Sequence, residues 1–304
     1  MAQRDMTKAR LATVWDDAYC TSAASTNSTT KQAHVIGLAR AEDLLDTRTA
    51  PFDLEATLAD IARVHDPAFV AAVLTGRPVD LAESQGFRWS PAFAESVARI
   101  WSGQHAAALL ALETGRFVFH PVSGAHHAGL RRGSAFCTFN FLAGIAFRLM
   151  RERRAWTVGI VDLDAHTGNG TIDFAVDDPR LACFDISGAR WLDTLPLPPW
   201  VEHRVARNAT QYTESLSHLP AWLDEHEPDL VFYQAGVDCW ERDAVGGIAG
   251  VTARFLAERD ETVLLELAAR GIPAVINLGG GYESESPALH VQTARIARGI
   301  VAQG

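Results

Sequence analysis

The stretch T-V-G-I-V-D-L-D-A-H-T-G-N-G, Thr157 to Gly170, decides how this chain is read. Thr157 to Val161 is a short apolar, β-branched run of the kind that fills a buried parallel strand. The residues after Val161 are not core material. Asp162, Asp164 and His166 recur at period two, and a strand aims such side chains to one side. Two carboxylates and an imidazole converging there are costly unless a cation neutralises them. Gly168-Asn169-Gly170 then lets the chain leave sharply, as at the carboxyl end of a strand that borders a ligand crevice. Alone, the stretch is either half of a metal site or a strand followed by a solvated Asp-rich turn. The rest of the chain decides between them.

At 304 residues and 48% hydrophobic content, the chain has room for a sizeable core. No Pro/Gly/Ser-rich linker or charge block divides it, so one domain over residues 1–304 is expected. The net charge of −10 and pI near 5.5 argue against nucleic acid as a partner and fit a cationic or neutral substrate. Only Lys8 and Lys31 are lysine; the other basic residues are arginine. Cys20, Cys137, Cys183 and Cys239 lack C-x-x-C spacing, which indicates neither a disulfide framework nor a cysteine zinc site and points to a reducing cytoplasm. The first ten residues hold no apolar signal region, and no apolar run approaches the ~18–20 residues of a membrane span. A soluble, unexported protein with no membrane partner is predicted.

Strands are expected at Leu11–Trp15, Phe117–Phe119, Thr157–Val161, Leu181–Ile186, Leu230–Gln234 and Ala274–Leu278. Helices are expected at about Gln32–Leu45, Leu54–Val64, Ala68–Leu74, Phe139–Arg151, Tyr212–Glu225, Thr252–Ala269 and Pro287–Ala302. The longest helix opens at Ser90-Pro91, with Ser90 as cap, reaches Glu113 and is halted by Gly115. Thr21–Thr30, rich in Ser, Thr and Asn, and the stretches Gly76–Gly86 and Leu195–Trp200 read as loops. Strands alternating with long helices predict an α/β fold: a mainly parallel central sheet covered on both faces.

Four polar or glycine-rich motifs each come directly after a strand, where such sheets build sites. After Phe119 the loop P-V-S-G-A leads to His126-His127, which are either solvated or capping residues or a base and acid flanking one bound water. Asp238 ends L-V-F-Y-Q-A-G-V-D as a helix N-cap or a metal ligand. Together the strand ends offer Asp164, His166 and Asp238 as three ligands with open positions, the pattern of a catalytic zinc site. His126 and His127 would then handle the proton, and Tyr282, after Gly279-Gly280-Gly281, would supply an electrophilic hydroxyl.

With these residues in view the chain resembles the zinc-dependent histone deacetylase family, on the arginase-deacetylase fold, and most of all its class IV branch and bacterial relatives. The matching pieces are G-A-H-H-A at Gly124–Ala128, F-C at Phe136-Cys137, D-L-D-A-H-T-G-N-G-T at Asp162–Thr171, G-V-D-C-W-E-R-D-A-V-G-G at Gly236–Gly247 and L-G-G-G-Y at Leu278–Tyr282. They occur in the family's order.

The resemblance implies that Asp164, His166 and Asp238 bind Zn2+, that His127 is the principal general base and acid, and that His126 is its electrostatic partner. It implies that Asp162 holds the first histidine and Asn169 the second, where some members have aspartate; an amide stabilises imidazolium less than a carboxylate, lowering the His127 pKa. It further implies Phe136, Gly124 and Gly280 as pocket residues, Val245 at the base of an acyl-lysine channel, Trp191 as a weaker candidate for its opposing wall, and a K+ ion near Asp162. Thr167 and Ala244 depart from the family pattern without touching the metal. An H-P-E-R-type segment is missing, S-T-N-S-T-T-K-Q standing in its place, which leaves the pocket rim open.

The implied activity is removal of an acyl group from acyl-lysine in a peptide or protein. An acylated polyamine or other small amine is the nearest rival substrate, and a catalytically silent binding module is the rival of another class. A manganese ureohydrolase would need more aspartates than the motifs supply. The glycine run ending in Tyr282 lacks the G-x-G-x-x-G register of a dinucleotide binder.

Overall fold

The structure is a computed structural model and describes residues 10–21, 30–192 and 196–303. Among these residues eight parallel strands form one sheet: β1 (Leu11–Val14), β2 (Leu45–Arg48), β3 (Phe117–Phe119), β4 (Val158–Asp162), β5 (Leu181–Ser187), β6 (Val201–Val205), β7 (Leu230–Gln234) and β8 (Ala274–Asn277). Their order across the sheet is β2-β1-β3-β8-β7-β4-β5-β6. In β3, β4, β5, β7 and β8 every residue is buried. Alternate side chains point to opposite faces, so these strands are covered on both.

The helices are α1 (Lys31–Ala41), α2 (Leu54–Ile61), α3 (Pro67–Thr75), α4 (Val79–Ala82), α5 (Pro91–Thr114), α6 (Phe141–Arg151), α7 (Asn169–Ala175), α8 (Ala209–Leu216), α9 (Leu219–His226), α10 (Ala253–Ala269) and α11 (Ser286–Val301). None is long and apolar enough to cross a membrane. The 24-residue α5 starts where the Ser90 hydroxyl accepts from Phe93 N–H at 3.1 Å and stops at Gly115, whose φ of 63° suits glycine.

The four strands expected to carry motifs lie side by side as β3-β8-β7-β4. The chain leaves β3 for β4, runs outward through β5 and β6, and returns to fill the gap with β7 and β8. This reversal opens a crevice at the carboxyl ends. Register keeps those ends level, with Asp162 paired to Gln234 and Gln234 to Asn277. Beneath the crevice, buried Asn277 Nδ2 donates to Gln104 Oε1 (2.8 Å) and to His120 O (3.0 Å), locking β8 to β3 and α5.

Several expectations are corrected. The helix foreseen to Leu45 ends at Ala41, and Leu45–Arg48 is an edge strand; β6 is the other edge, also unforeseen. Only Leu45 of β2, and Val201 and His203 of β6, are buried, and both strands carry charge, as edges that resist mispairing do, so neither shows an apolar run. The helix foreseen at Tyr212–Glu225 is two, broken at Ser217-His218 before Pro220, which lacks an N–H for a continuous helix. Gly76–Gly86 contains α4, and the Gly168–Gly170 turn opens α7. The expected Thr21–Thr30 loop falls outside the described residues except at its two ends, as does Leu195 of the proline-rich loop. The four cysteines are free.

Helix α6 packs closely on α5 at Gly144. The Trp101 indole donates to Asp60 Oδ2 at 2.8 Å, and Asp60 also binds Arg148 and Arg151 of α6. A Cβ on Gly144 would lie 2.7 Å from Trp101 Cζ2, whereas one on Gly37 of α1 meets nothing within 4 Å. Alanine favours a helix interior by ~1 kcal/mol over glycine, but overpacking a core costs ~1–3 kcal/mol. Thermal melts are therefore expected to show Gly144→Ala below and Gly37→Ala above the wild-type Tm.

Candidate metal centre and its pocket

Strand β4 stops at Asp162, so period two does not by itself bring the ligands together. The alternation continues as two backbone turns held by carboxylates. Asp164 N–H donates to Asp162 Oδ1 at 3.2 Å, and His166 N–H to Asp164 Oδ1 at 2.9 Å. From β7, Asp238 arrives with Oδ1 accepting from Ala165 N–H (2.9 Å); it caps no helix. His166 Nδ1 sits 3.1 Å from Asp164 Oδ1 and 2.9 Å from Asp238 Oδ2. Asp164, His166 and Asp238 each offer one donor atom, all within 4.8 Å of one another.

The glycine loop after β8 closes over this cluster. Gly280 N–H donates to Asp164 Oδ2 at 2.6 Å, and a Cβ at Gly280 would collide with the Asp238 carboxylate. At Gly236 a Cβ would lie 2.7 Å from Asp164 Cα. Glycine at both positions is what lets the segments approach this closely.

Beside the cluster, the His126 and His127 rings lie 4.0 Å apart. Burial disfavours charge on His126, but the Asp162 carboxylate 2.9 Å from its Nδ1, with Asp164, raises its pKa to about 9. Burial and the positive His126 push His127 down to about 3. Asn169 Oδ1, an acceptor, lies 2.7 Å from His127 Nδ1, so that nitrogen carries the proton and Nε2 keeps its lone pair. Two adjacent imidazoles are thus set to opposite charge states, the pattern that separates acid from base roles. Burial opposes charge on His166 too, yet Asp164 and Asp238 hold its pKa up at about 11, so a metal entering here must displace a proton.

A pocket lined by Gly124, His126, Phe136, Asp164, Gly280 and Tyr282 reaches the cluster from one side and continues inward to Tyr19 and Lys31. Phe136 stacks on Phe87, ring centroids 5.4 Å apart at 25°, and lies 6.0 Å from the Tyr282 ring. Tyr282 is anchored through its N–H to Asp243 Oδ2 (2.8 Å), and burial beside Asp164 and Asp238 raises its pKa, keeping the phenol protonated. Trp191 stands on the other side, 5.3 Å from the His166 ring.

Val245 is not at the base of this pocket. It is 53% exposed and borders a separate depression with His166, Thr167 and Trp191, because Asp243 Oδ1 accepts from its N–H (3.0 Å) and holds the loop at the surface.

Three residues here escaped the sequence reading. Lys31 is buried, with Nζ donating to Gly279 O at 2.7 Å and Gly281 O at 3.2 Å; burial lowers its pKa to about 8 against the pull of Asp238 and Asp164. Its only signal was being one of two lysines. Asp243 binds the Tyr282 and Val245 backbones from within a motif read only as a match. Asp185, on β5, has no sequence signal: its Oδ2 accepts from Gly168 N–H (2.8 Å), and its buried Oδ1 makes no hydrogen bond but lies 3.4 Å from His203 Nε2.

Comparison with known proteins gives this geometry a lineage. The family model for the histone deacetylase domain matches residues 24–296. An uncharacterized protein of Picosynechococcus sp. is 35% identical over 230 residues, covering 72% of this chain and 74% of its own. Histone deacetylase 2 of Arabidopsis thaliana is 31% identical over 192 residues, 59% of this chain and 48% of that protein, so the chain spans about half its length. The crystal structure of an acetylpolyamine aminohydrolase from Burkholderia pseudomallei superimposes with a TM-score of 0.75 at 17% identity, over 95% of this chain and 98% of that one, and so shares its fold. With the family model spanning nearly the whole chain, this protein belongs to the histone deacetylase family.

Proposed function

We propose that this protein is a zinc-dependent deacylase that hydrolyses the amide of an acylated lysine or related amine. The observation that carries the reading is the convergence, in one crevice, of a three-donor carboxylate/imidazole cluster and a histidine pair of opposite basicity. The donor set fits zinc: two carboxylates balance the charge of a divalent ion, and oxygen and nitrogen ligands suit it. Asp164, His166 and Asp238 would hold it, supplying a Lewis acid for the acyl carbonyl and a more acidic water.

His127 Nε2 takes the proton of the attacking water and returns it to the departing amine. The charged His126, held by Asp162, keeps its neighbour neutral and ready to accept. Tyr282 donates to the carbonyl oxygen as negative charge develops there. Phe136 and Trp191 flank the acyl-bearing chain, while Gly124 and Gly280 let backbone approach it.

A monovalent cation, K+, is proposed beside Asp162. Asp162 and Asp185 converge there: a Cβ at Gly168 would lie 2.6 Å from one carboxylate and 3.1 Å from the other, and Asp185 Oδ1 is buried and makes no hydrogen bond. A reducing cytoplasm agrees with the free cysteines.

An acylated polyamine is the second reading for the substrate. A relative in Mycoplana ramosa, 25% identical over 58% of this chain and 53% of its own, is named acetylpolyamine amidohydrolase, and the net charge of −10 suits a polycation. Rates on acetyl-lysine peptides against N-acetylpolyamines decide between the two.

About one zinc per chain is expected on purification, and Asp164→Ala or Asp238→Ala should lose metal and activity together; a zinc-replete Asp238→Ala would remove that residue from the ligand set. Tyr282→Phe is expected to lose ~10²–10³ in kcat with KM little changed, the cost of one oxyanion donor. An unchanged kcat would sink the electrophilic role, and no turnover in wild type would favour a binding module. In Asn169→Asp the carboxylate stabilises imidazolium, so the acidic limb of the kcat/KM profile should move to higher pH; a stationary limb would show that residue 169 does not set the base.

A further inference from the structure

The last ladder bond between β4 and β7 is Leu163 N–H to Gln234 O at 3.1 Å. Beyond it the Leu163 and Gly236 carbonyls both reach one donor. Two facing carbonyls repel and cannot bind each other; a donor must lie between them. Tyr212 Oη also reaches Leu163 O, at 3.2 Å, but the donor shared by both carbonyls is Arg259 of α10, 1% exposed. Its Nη1 donates to Gly236 O at 2.7 Å and Leu163 O at 3.1 Å, and lies 3.2 Å from Cys239 Sγ.

Its Nε donates to Asp260 Oδ1 at 2.9 Å, and Asp260 in turn accepts from Tyr233 Oη at 2.6 Å and Thr293 Oγ1 at 2.5 Å. Nη2 lies 2.7 Å from the same carboxylate oxygen but is badly angled for a hydrogen bond. Leu163 immediately precedes Asp164, and Gly236 and Cys239 bracket Asp238. One guanidinium therefore grips both ligand-bearing segments.

We infer that Arg259 is a positioning residue of the metal centre, setting the spacing of Asp164 and Asp238 from beneath, with Asp260 as the counter-charge that makes its burial tolerable. Stability alone gives little reason for the pair, since a buried ion pair is often matched or bettered by apolar residues of similar volume. Its contribution is geometric: it joins two loops at the point where sheet hydrogen bonding runs out. The inference rests on the metal reading above.

The test is zinc affinity, by chelator competition, together with the visible spectrum of the Co2+-substituted protein. Arg259→Met/Asp260→Asn removes both charges without stranding a carboxylate. It should bind zinc ~10–100-fold more weakly, the usual effect of losing a group that orients ligands, with an altered Co2+ spectrum. Arg259→Lys, charged but shorter, should lose less in the same direction, and it carries the test if the double variant does not fold. Thr293→Val, which loosens Asp260 without touching either carbonyl, should lower Tm and keep wild-type affinity. Wild-type affinity in the folded double variant, or in Arg259→Lys should that alone fold, overturns the inference while leaving the metal reading intact. A Thr293→Val loss equal to that of the double variant overturns it too, since the effect would then be one of general stability. A wild type that takes up no zinc overturns both.

Discussion

Asp162, Asp164, Asp185 and Asp238 are buried together at the ends of parallel strands, each at most 3% exposed. Like charges in a poorly screened interior repel strongly, and burial alone pushes carboxylates toward their neutral form. The crevice answers by making them unequal. Burial disfavours ionisation of Asp164, but His126 and His166 hold its pKa well below the usual range. Burial raises Asp162, Asp185 and Asp238. Much of the local architecture serves to supply donors to this group: backbone N–H from Ala165, His166, Gly168 and Gly280, imidazoles from His126 and His166, and the buried ammonium of Lys31 close behind.

The same constraint explains the glycines. A carboxylate that accepts from a backbone N–H needs the chain within hydrogen-bond distance, and a Cβ on Gly236, Gly168 or Gly280 would occupy the space the carboxylates fill. It also explains the division of the histidine pair. One imidazole is drawn positive by Asp162; its neighbour, facing that charge and bound only by an amide, stays neutral. The opposite basicity of the two histidines is in this sense a by-product of balancing buried negative charge.

Support for the crevice comes from parts of the chain far apart in sequence. Lys31 from α1 holds the glycine loop, Asp243 holds Tyr282, and the Asn277–Gln104–His120 belt fixes the level of two strand ends. Each is a polar group buried with partners on another element, so each penalises any rearrangement that would leave it unsatisfied.

What the sequence by itself determined was whatever short-range periodicity and local chemistry encode. Central strands such as Phe117–Phe119 and Leu230–Gln234 were legible to the residue because burial on both faces demands an unbroken apolar run, and α5 was legible because Ser90, Pro91 and Gly115 mark its ends locally. The motif residues Asp164, His166 and Asp238 each had a structural reading, a solvated turn or a helix cap, and stood out only because several polar motifs followed strands in one chain. Only the tertiary structure decided the rest. The edge strands β2 and β6 depend on a neighbour's hydrogen bonds, not on their own composition. The convergence of Asp164 with His166 came from carboxylate-held turns beyond the end of β4, and Val245 went to the surface because Asp243 holds its loop there. Lys31, Asp185 and Arg259 matter through partners up to 250 residues away, as Lys31 with Gly281 illustrates. A pattern along the chain reports which residues one element must bury; it carries no record of which buried charge a distant element will be asked to balance.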